Sequence, residues 1–409
     1  MAAHAGAGRP APPLRTETVR KARYGAAMAP KATTPPPVLD DRALNRAVLA
    51  RQLLLRRVPR SETTVEQAVG RLVGLQAQNV RPPYYALAAR LADFAPAELS
   101  EPMADRRIVR IVTLRSTIHT HTADDALALR PLLQAGGPDR ELKAFRARGG
   151  LDGVDLDRLG AIARELVEAE PRTMKELRDA LLAHWPDADP PSLSVAARCL
   201  LPLVQVTPRG LWGRSGQVRL TTVTHWLGRE PGPPASLDDT VLRYLAAFGP
   251  ASVKDFQSWS GLTRTRDAFE RLRPGLAVFG SEHGAELFDL PEAPRPAADT
   301  PAPPRFLPEY DNLLLSHADR RRVVADDRHA GLTWKGNQSY PVFLVDGFLA
   351  GVWRLDEDPR TGTAALVMEP FGEPSAERRA ELTEEAERTL AVLAPGSAAY
   401  DVRFGTVRG

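Results

Sequence analysis

The chain has 409 residues, 43% hydrophobic and 6% aromatic, ordinary values for a globular protein long enough for two to four domains. Its single cysteine, Cys199, excludes an intrachain disulfide framework and a cysteine-based zinc site and fits a reducing cytoplasm, while no run of about 18 apolar residues is available to cross a membrane. A net charge of +3 permits nucleic-acid binding without demanding it, and the Arg, Ala and Pro bias of a GC-rich genome discounts arginine richness as evidence.

Residues 1–37 read as a disordered tail. Six basic side chains and one acid, Glu17, lie among Ala, Gly and Pro before residue 37, with no amphipathic run, and Met28 offers an alternative start. A first unit, 38–130, opens with a helix over Leu44 to Leu55. Thr64 starts the next helix, whose stripe Val65, Ala68, Val69, Leu72 and Leu75 has the spacing of an amphipathic face. One further turn lands on Gln76. An inward amide needs partners or costs about 1–3 kcal/mol, so it is a clamp or a working group. Pro82 and Pro83 place the helix end near Leu75 to Gln78, where Gln76 and Gln78 can converge on one ligand.

Ile108 to Thr122 ends the unit in alternating strand residues. His119 and His121 face one side of that strand without cysteine or acidic company, so a metal is not expected. They read either as packed or surface histidines or as DNA contacts at a wing, with Arg106, Arg107, Arg110 and Arg115 nearby as phosphate grips or a solvated face.

Two later stretches repeat one form. Pro171 to Leu177 and Pro250 to Phe256 both follow Pro-x-[Ser/Thr]-apolar-Lys-acid-apolar, in which Thr173 and Ser252 cap a helix and Glu176 and Asp255 complete a capping box. Each is flanked by a helix on either side and then a hairpin. The first hairpin is expected to pair Leu203–Val206 with Leu211–Trp212, and the second Leu276–Phe279 with Glu286–Phe288. Helix, helix, helix, hairpin is the winged helix-turn-helix, here over 154–228 and 236–290.

Pro291 to Pro304 reads as a linker to a C-terminal piece, 305–409. It has a hairpin turning at Asp346-Gly347, a charged helix over Ala376 to Leu393 and a final strand from Tyr400 to Phe404. Arg320, Arg322 and Lys335 offer a phosphate grip, and Trp334 either packs in the core or stacks on a base. The predicted fold class is mainly α with β wings, three tandem winged helix-turn-helix units followed by a small C-terminal α+β domain.

Those three units, the Gln-Ala-Gln triplet and the C-terminal hairpin region together resemble the AlkZ and YcaQ family of bacterial winged-helix DNA glycosylases over roughly residues 38 to 409. The landmarks are Ala43-Leu44-Asn45-Arg46, Gly74-Leu75-Gln76-Ala77-Gln78, Thr113 to His119, Leu307 to Leu314, and Leu344-Val345-Asp346-Gly347-Phe348. Glutamine at the third position of the triplet is similar to the AlkZ-like branch. The resemblance implies that Gln76 and Gln78 are catalytic.

Chemistry fits that implication. Amides do not titrate near neutral pH, so they can orient water and stabilise charge but not act as ordinary acids or bases. That is enough for a purine already cationic through N7 alkylation, which leaves as a neutral base while the sugar gains oxocarbenium character. The expectation is a monofunctional glycosylase acting on double-stranded DNA that carries alkylated purines, with bulky adducts and interstrand crosslinks implied by the resemblance. Arg115, His119, His121, Arg320, Arg322, Trp334 and Lys335 are the candidate DNA-binding residues. No cofactor, metal or membrane partner is expected, and a cytoplasmic monomer is. The rival class is a winged-helix transcription regulator without catalysis.

Overall fold

Many of the helices begin where a side-chain oxygen meets the free N–H groups of a first turn, while those starting at Pro82, Ala97, Pro138 and Arg266 have no such cap. Thr64, Thr173 and Ser252 each accept from the backbone three residues on, and Gln67, Glu176 and Asp255 reach back to complete capping boxes. Each cap is worth about 1 kcal/mol, enough to fix where a short helix starts. The computed structural model describes residues 35–335 and 338–406, apart from the side chains of Asp327, Arg328 and Lys335. Residues 1–34, with most of the expected tail and Met28, lie outside the described residues.

Three helix groups follow one another along the chain. Asp41–Arg51 and Val65–Arg71 come first, with Pro82–Arg90 and Ala97–Ala104 after them. Leu156–Ala169, Met174–Leu182 and Pro190–Leu200 form the second, Leu237–Phe248, Val253–Ser260 and Arg266–Leu272 the third. Each repeated group has its own apolar core, around Leu159, Leu177 and Leu193 in one and Tyr244, Phe248, Phe256 and Phe269 in the other.

The strands do not divide as cleanly. One antiparallel sheet runs in the order Leu75–Gln76, Ile118–Thr122, Ile108–Val112, Leu203–Gln205, Leu220–Thr222, so strands of the first two groups share a ladder. Ala277–Ser281 pairs with Glu286–Asp289 as expected, and Val38–Leu39 adds a parallel edge. A second five-stranded sheet, with Ala376–Leu393 packed on it, forms the C-terminal part. Its hairpin turns at Asp346 and Gly347, both at positive φ, as that dipeptide predicts.

Two expectations are corrected. Leu203–Gln205 pairs with Leu220–Thr222 and not with Leu211–Trp212. Gly210 turns the chain away at φ +99, the Trp212 N–H donates to Ser100 Oγ at 3.0 Å, and the indole packs 4.9 Å from the Tyr84 ring, so this segment is committed elsewhere. The helix expected to reach Leu75 to Gln78 stops at Arg71. Val73 and Gly74 take left-handed φ values of +54 and +91, and the glutamine triplet enters a strand. The apolar stripe persists across this break because Leu72 and Leu75 still enter the core.

Candidate active site

The strand end that carries the glutamines is clamped from several sides. Asn312 Nδ2 donates to Leu72 O at 3.2 Å and to Gly74 O at 2.8 Å, closing the turn beneath the triplet. At Gly74 a Cβ would lie 2.3 Å from the His121 ring, so glycine is required both by φ and by space. Leu75 and Gln76 pair with Thr120 and His119, and Ala77 N–H donates to Ile118 O at 2.7 Å.

Arg110, itself buried, grips the far end. Its Nη2 donates to Ala77 O at 2.8 Å, Nη1 to Asn79 O at 3.4 Å, and Nε to Gln205 Oε1 at 3.1 Å. Desolvation, reinforced by the charge of Arg209, pulls its pKa down to about 10. A guanidinium spent on two backbone carbonyls sets the path of the triplet without supplying chemistry.

Gln76 is 8% exposed, and its Oε1 accepts from Arg115 Nη2 at 3.0 Å. Gln78, after the chain bends out of the sheet, is exposed and makes no side-chain hydrogen bond to a described residue. Beside it, Asn79 Nδ2 donates to Glu309 Oε1 at 2.9 Å. One amide is therefore locked at the strand and the other stands at its rim.

Arg115 lies in the loop between the strands Ile108–Val112 and Ile118–Thr122. Its other arm donates to Trp259 O at 2.5 Å, and burial alone brings its pKa to about 10. The same loop borders a cleft of about 540 Å³ that Arg140 and Glu141 also line. Both guanidinium arms are thus engaged within the protein, where DNA contact was expected.

The histidines are corrected likewise. His119 and His121 are enclosed, their rings stacked 5.7 Å apart, so neither is presented to a duplex. His119 Nδ1 donates to Thr117 O at 3.0 Å, and His121 Nε2 bonds Thr113 Oγ1 at 2.9 Å. Burial is the largest cause holding both neutral, and for His119 the Arg115 charge adds to it. The packed alternative is the one these positions match.

Arg322 is also enclosed: Nη1 donates to Pro250 O at 2.7 Å and Nη2 lies 3.9 Å from Asp255 Oδ2. It joins the repeat to the C-terminal part and has no free face for a phosphate. Arg320 stays half-buried, and Trp334, also half-buried, packs edge-on against Tyr310 at 5.6 Å in a short hairpin. Lys335 is in that hairpin, its side chain outside the described residues. Cys199 is buried and free, its thiol pushed up to about 11 by burial.

Glu309 and Asn312, both within the Leu307 to Leu314 landmark, carry no local mark of these roles. Their partners lie some 230 to 240 positions away, beyond any local pattern.

Three comparisons bear on this arrangement. Over 374 residues the chain is 25% identical to an interstrand DNA cross-link repair glycosylase of Streptomyces sahachiroi, covering 85% of this chain and 95% of that one. The solved structure of the Streptomyces sahachiroi DNA glycosylase AlkZ superposes with a TM-score of 0.74 at 21% identity, over 90% of this chain and all of that one, and so has the same fold. Residues 69–392, which include the clamped glutamine strand and both of its distant supports, match the family model described as DNA glycosylase AlkZ-like, and the chain belongs to that DNA glycosylase family.

Proposed function

We propose that this glycosylase is monofunctional and hydrolyses the N-glycosidic bond of cationic N7-alkylated purines in double-stranded DNA, bulky adducts and interstrand crosslinks included. Gln76 and Gln78 are the catalytic pair. The observation that carries this reading is the locked amide of Gln76 beside the free amide of Gln78 on one strand end. Two amides hold one water and face a sugar that turns cationic as the bond breaks.

In the reaction the water oxygen bonds to C1′ while the electrons of the N9–C1′ bond pass to the departing base, which leaves neutral. The surplus proton of the water goes to solvent, since no amide takes it. The product is an abasic site in an uncut strand.

The arrangement we propose around this site is three winged-helix units, 38–130, 154–228 and 236–290, with the C-terminal domain at 305–409. Three capping boxes at matched places and the hairpin at Ala277–Asp289 support it. Arg320, Trp334 and Lys335 are the DNA contacts that remain from the sequence reading, and binding through phosphates gives strong salt dependence with weak sequence preference.

The test is base release from a duplex containing N7-methylguanine, read as strand breaks after alkali. Alanine at Gln76 or Gln78 should lower the single-turnover rate by roughly 100-fold or more with DNA affinity nearly kept. Because both residues serve one transition state, the double variant should fall less than the product of the singles. Full activity in the double variant would remove the site assignment.

A further inference from the structure

We propose that Arg115 is a positioning residue that fixes the polarity of Gln76, so that this amide meets the reaction as a hydrogen-bond donor and leaves Gln78 to accept. The inference rests on the catalytic reading of the glutamine pair and assigns each member its half of the work.

A guanidinium has five N–H donors and no acceptor, so only the oxygen of an amide can face it. Arg115 Nη2 lies 3.0 Å from Gln76 Oε1, which settles the flip that an isolated glutamine leaves open. The amide nitrogen then points away. Gln76 Nε2 bonds no described residue and is not among the sealed, unpartnered polar atoms, so it reaches solvent at the strand end.

Arg115 is itself held hard. Its second arm is fixed on Trp259 O, the carbonyl of a residue in the last turn of Val253–Ser260. Among the described residues no carboxylate pairs with it, so its charge is directed at two neutral carbonyls. Its backbone sits in the left-handed region at φ +53, followed by Ser116 at φ +61, a conformation that non-glycine residues adopt at a cost. Across the loop, a Cβ on Gly137 would lie 2.5 Å from Ser116 N, so the loop is seated on backbone. Strain of this kind persists where the surroundings over-determine it, and here it aims one guanidinium at one amide.

The consequence for the water is specific. It accepts from the Gln76 NH₂ through one lone pair and donates one hydrogen to Gln78 Oε1. Its second lone pair is then free for C1′, and its other hydrogen faces solvent. With the Gln76 carbonyl already bonded to a cation, the charge-stabilising dipole next to the sugar belongs to Gln78.

The discriminating variant is Gln76→Glu. It keeps the oxygen that faces Arg115, gains an ion pair with it, and carries a second acceptor oxygen where the NH₂ stood. On the N7-methylguanine duplex its single-turnover rate should fall with that of Gln76→Ala, by roughly 100-fold, while the dissociation constant moves less than about threefold. Arg115→Met, which frees the amide to flip, should lose roughly tenfold or more in the same rate with affinity kept. Arg115→Lys, which still donates to Oε1, should recover most of that loss, whereas a merely structural arginine would show no such split between rate and affinity. A Gln76→Glu enzyme near the wild-type rate, beside an inactive Gln76→Ala, would overturn the donor assignment and leave the site intact. Arg115→Met at full rate would overturn the positioning role. Full activity of Gln76→Ala would instead take down the catalytic reading on which both rest.

Discussion

Arg90 and Asp311 meet in a two-pronged ion pair with neither side chain exposed, Nη1 and Nη2 donating to Oδ2 and Oδ1 at 2.9 and 2.8 Å. Asp311 also caps the short helix Asn312–Leu315, so the pair fixes Asn312, whose amide closes the turn under the glutamine strand. Removing one partner leaves a buried charge uncompensated. Arg90→Met or Asp311→Leu should each cost about 3–5 kcal/mol in urea unfolding, and the double variant Arg90→Met, Asp311→Leu less than the sum of its singles. Additive losses would show that the two residues act apart.

Gly74→Ala tests the turn itself. The new methyl meets both a left-handed φ and the His121 ring, so a loss of about 1–3 kcal/mol is expected, with base release reduced because Gln76 follows two residues on. Unchanged melting temperature and unchanged rate would mean that the strand end does not depend on this turn.

The two enclosed histidines make stability fall with acid. Burial lowers the folded pKa of His121 to about 4 and holds that of His119 well below the ordinary 6.5. Above pH about 6.5 neither the folded nor the unfolded chain protonates them, so nothing changes; below it the unfolded chain gains protons first and is favoured. By pH 5 His121 should have removed about 2 kcal/mol, and His119 lowers stability in the same direction. Unfolding measured from pH 7.5 to 5 should show this decline, and His121→Asn should flatten it by one proton. An equal slope in that variant would place the protonation elsewhere.

What the sequence disclosed was local. Thr173 with Glu176, Ser252 with Asp255, and Asp346 with Gly347 each act within four residues, and helix Ala376–Leu393 and the strand near its end follow from their own periodicity. The helix limit near Gln76 was not legible, because a left-handed Val73 and Gly74 are held by His121 and by Asn312 far down the chain. Strand pairing of Leu203–Gln205 was misread for a related reason: Trp212 finds Tyr84 and Ser100, and no neighbour in sequence announces it. Histidine, too, carries no mark in sequence of whether its strand face is covered. Gln76 was visible as an amide at an apolar position, whereas the arginine that orients it came labelled only as a cation.

The ladder that carries Arg110 opposite Gln205 splices strands of the first helix group to strands of the second. Such a splice ties the two groups through one sheet. With Arg110 and Ile111 paired to Gln205 and Val204, the two groups share backbone hydrogen bonds, so on the proposed reading a duplex carrying a large adduct is met by a joined surface. On that reading, the deformability of the damaged duplex contributes to the fit.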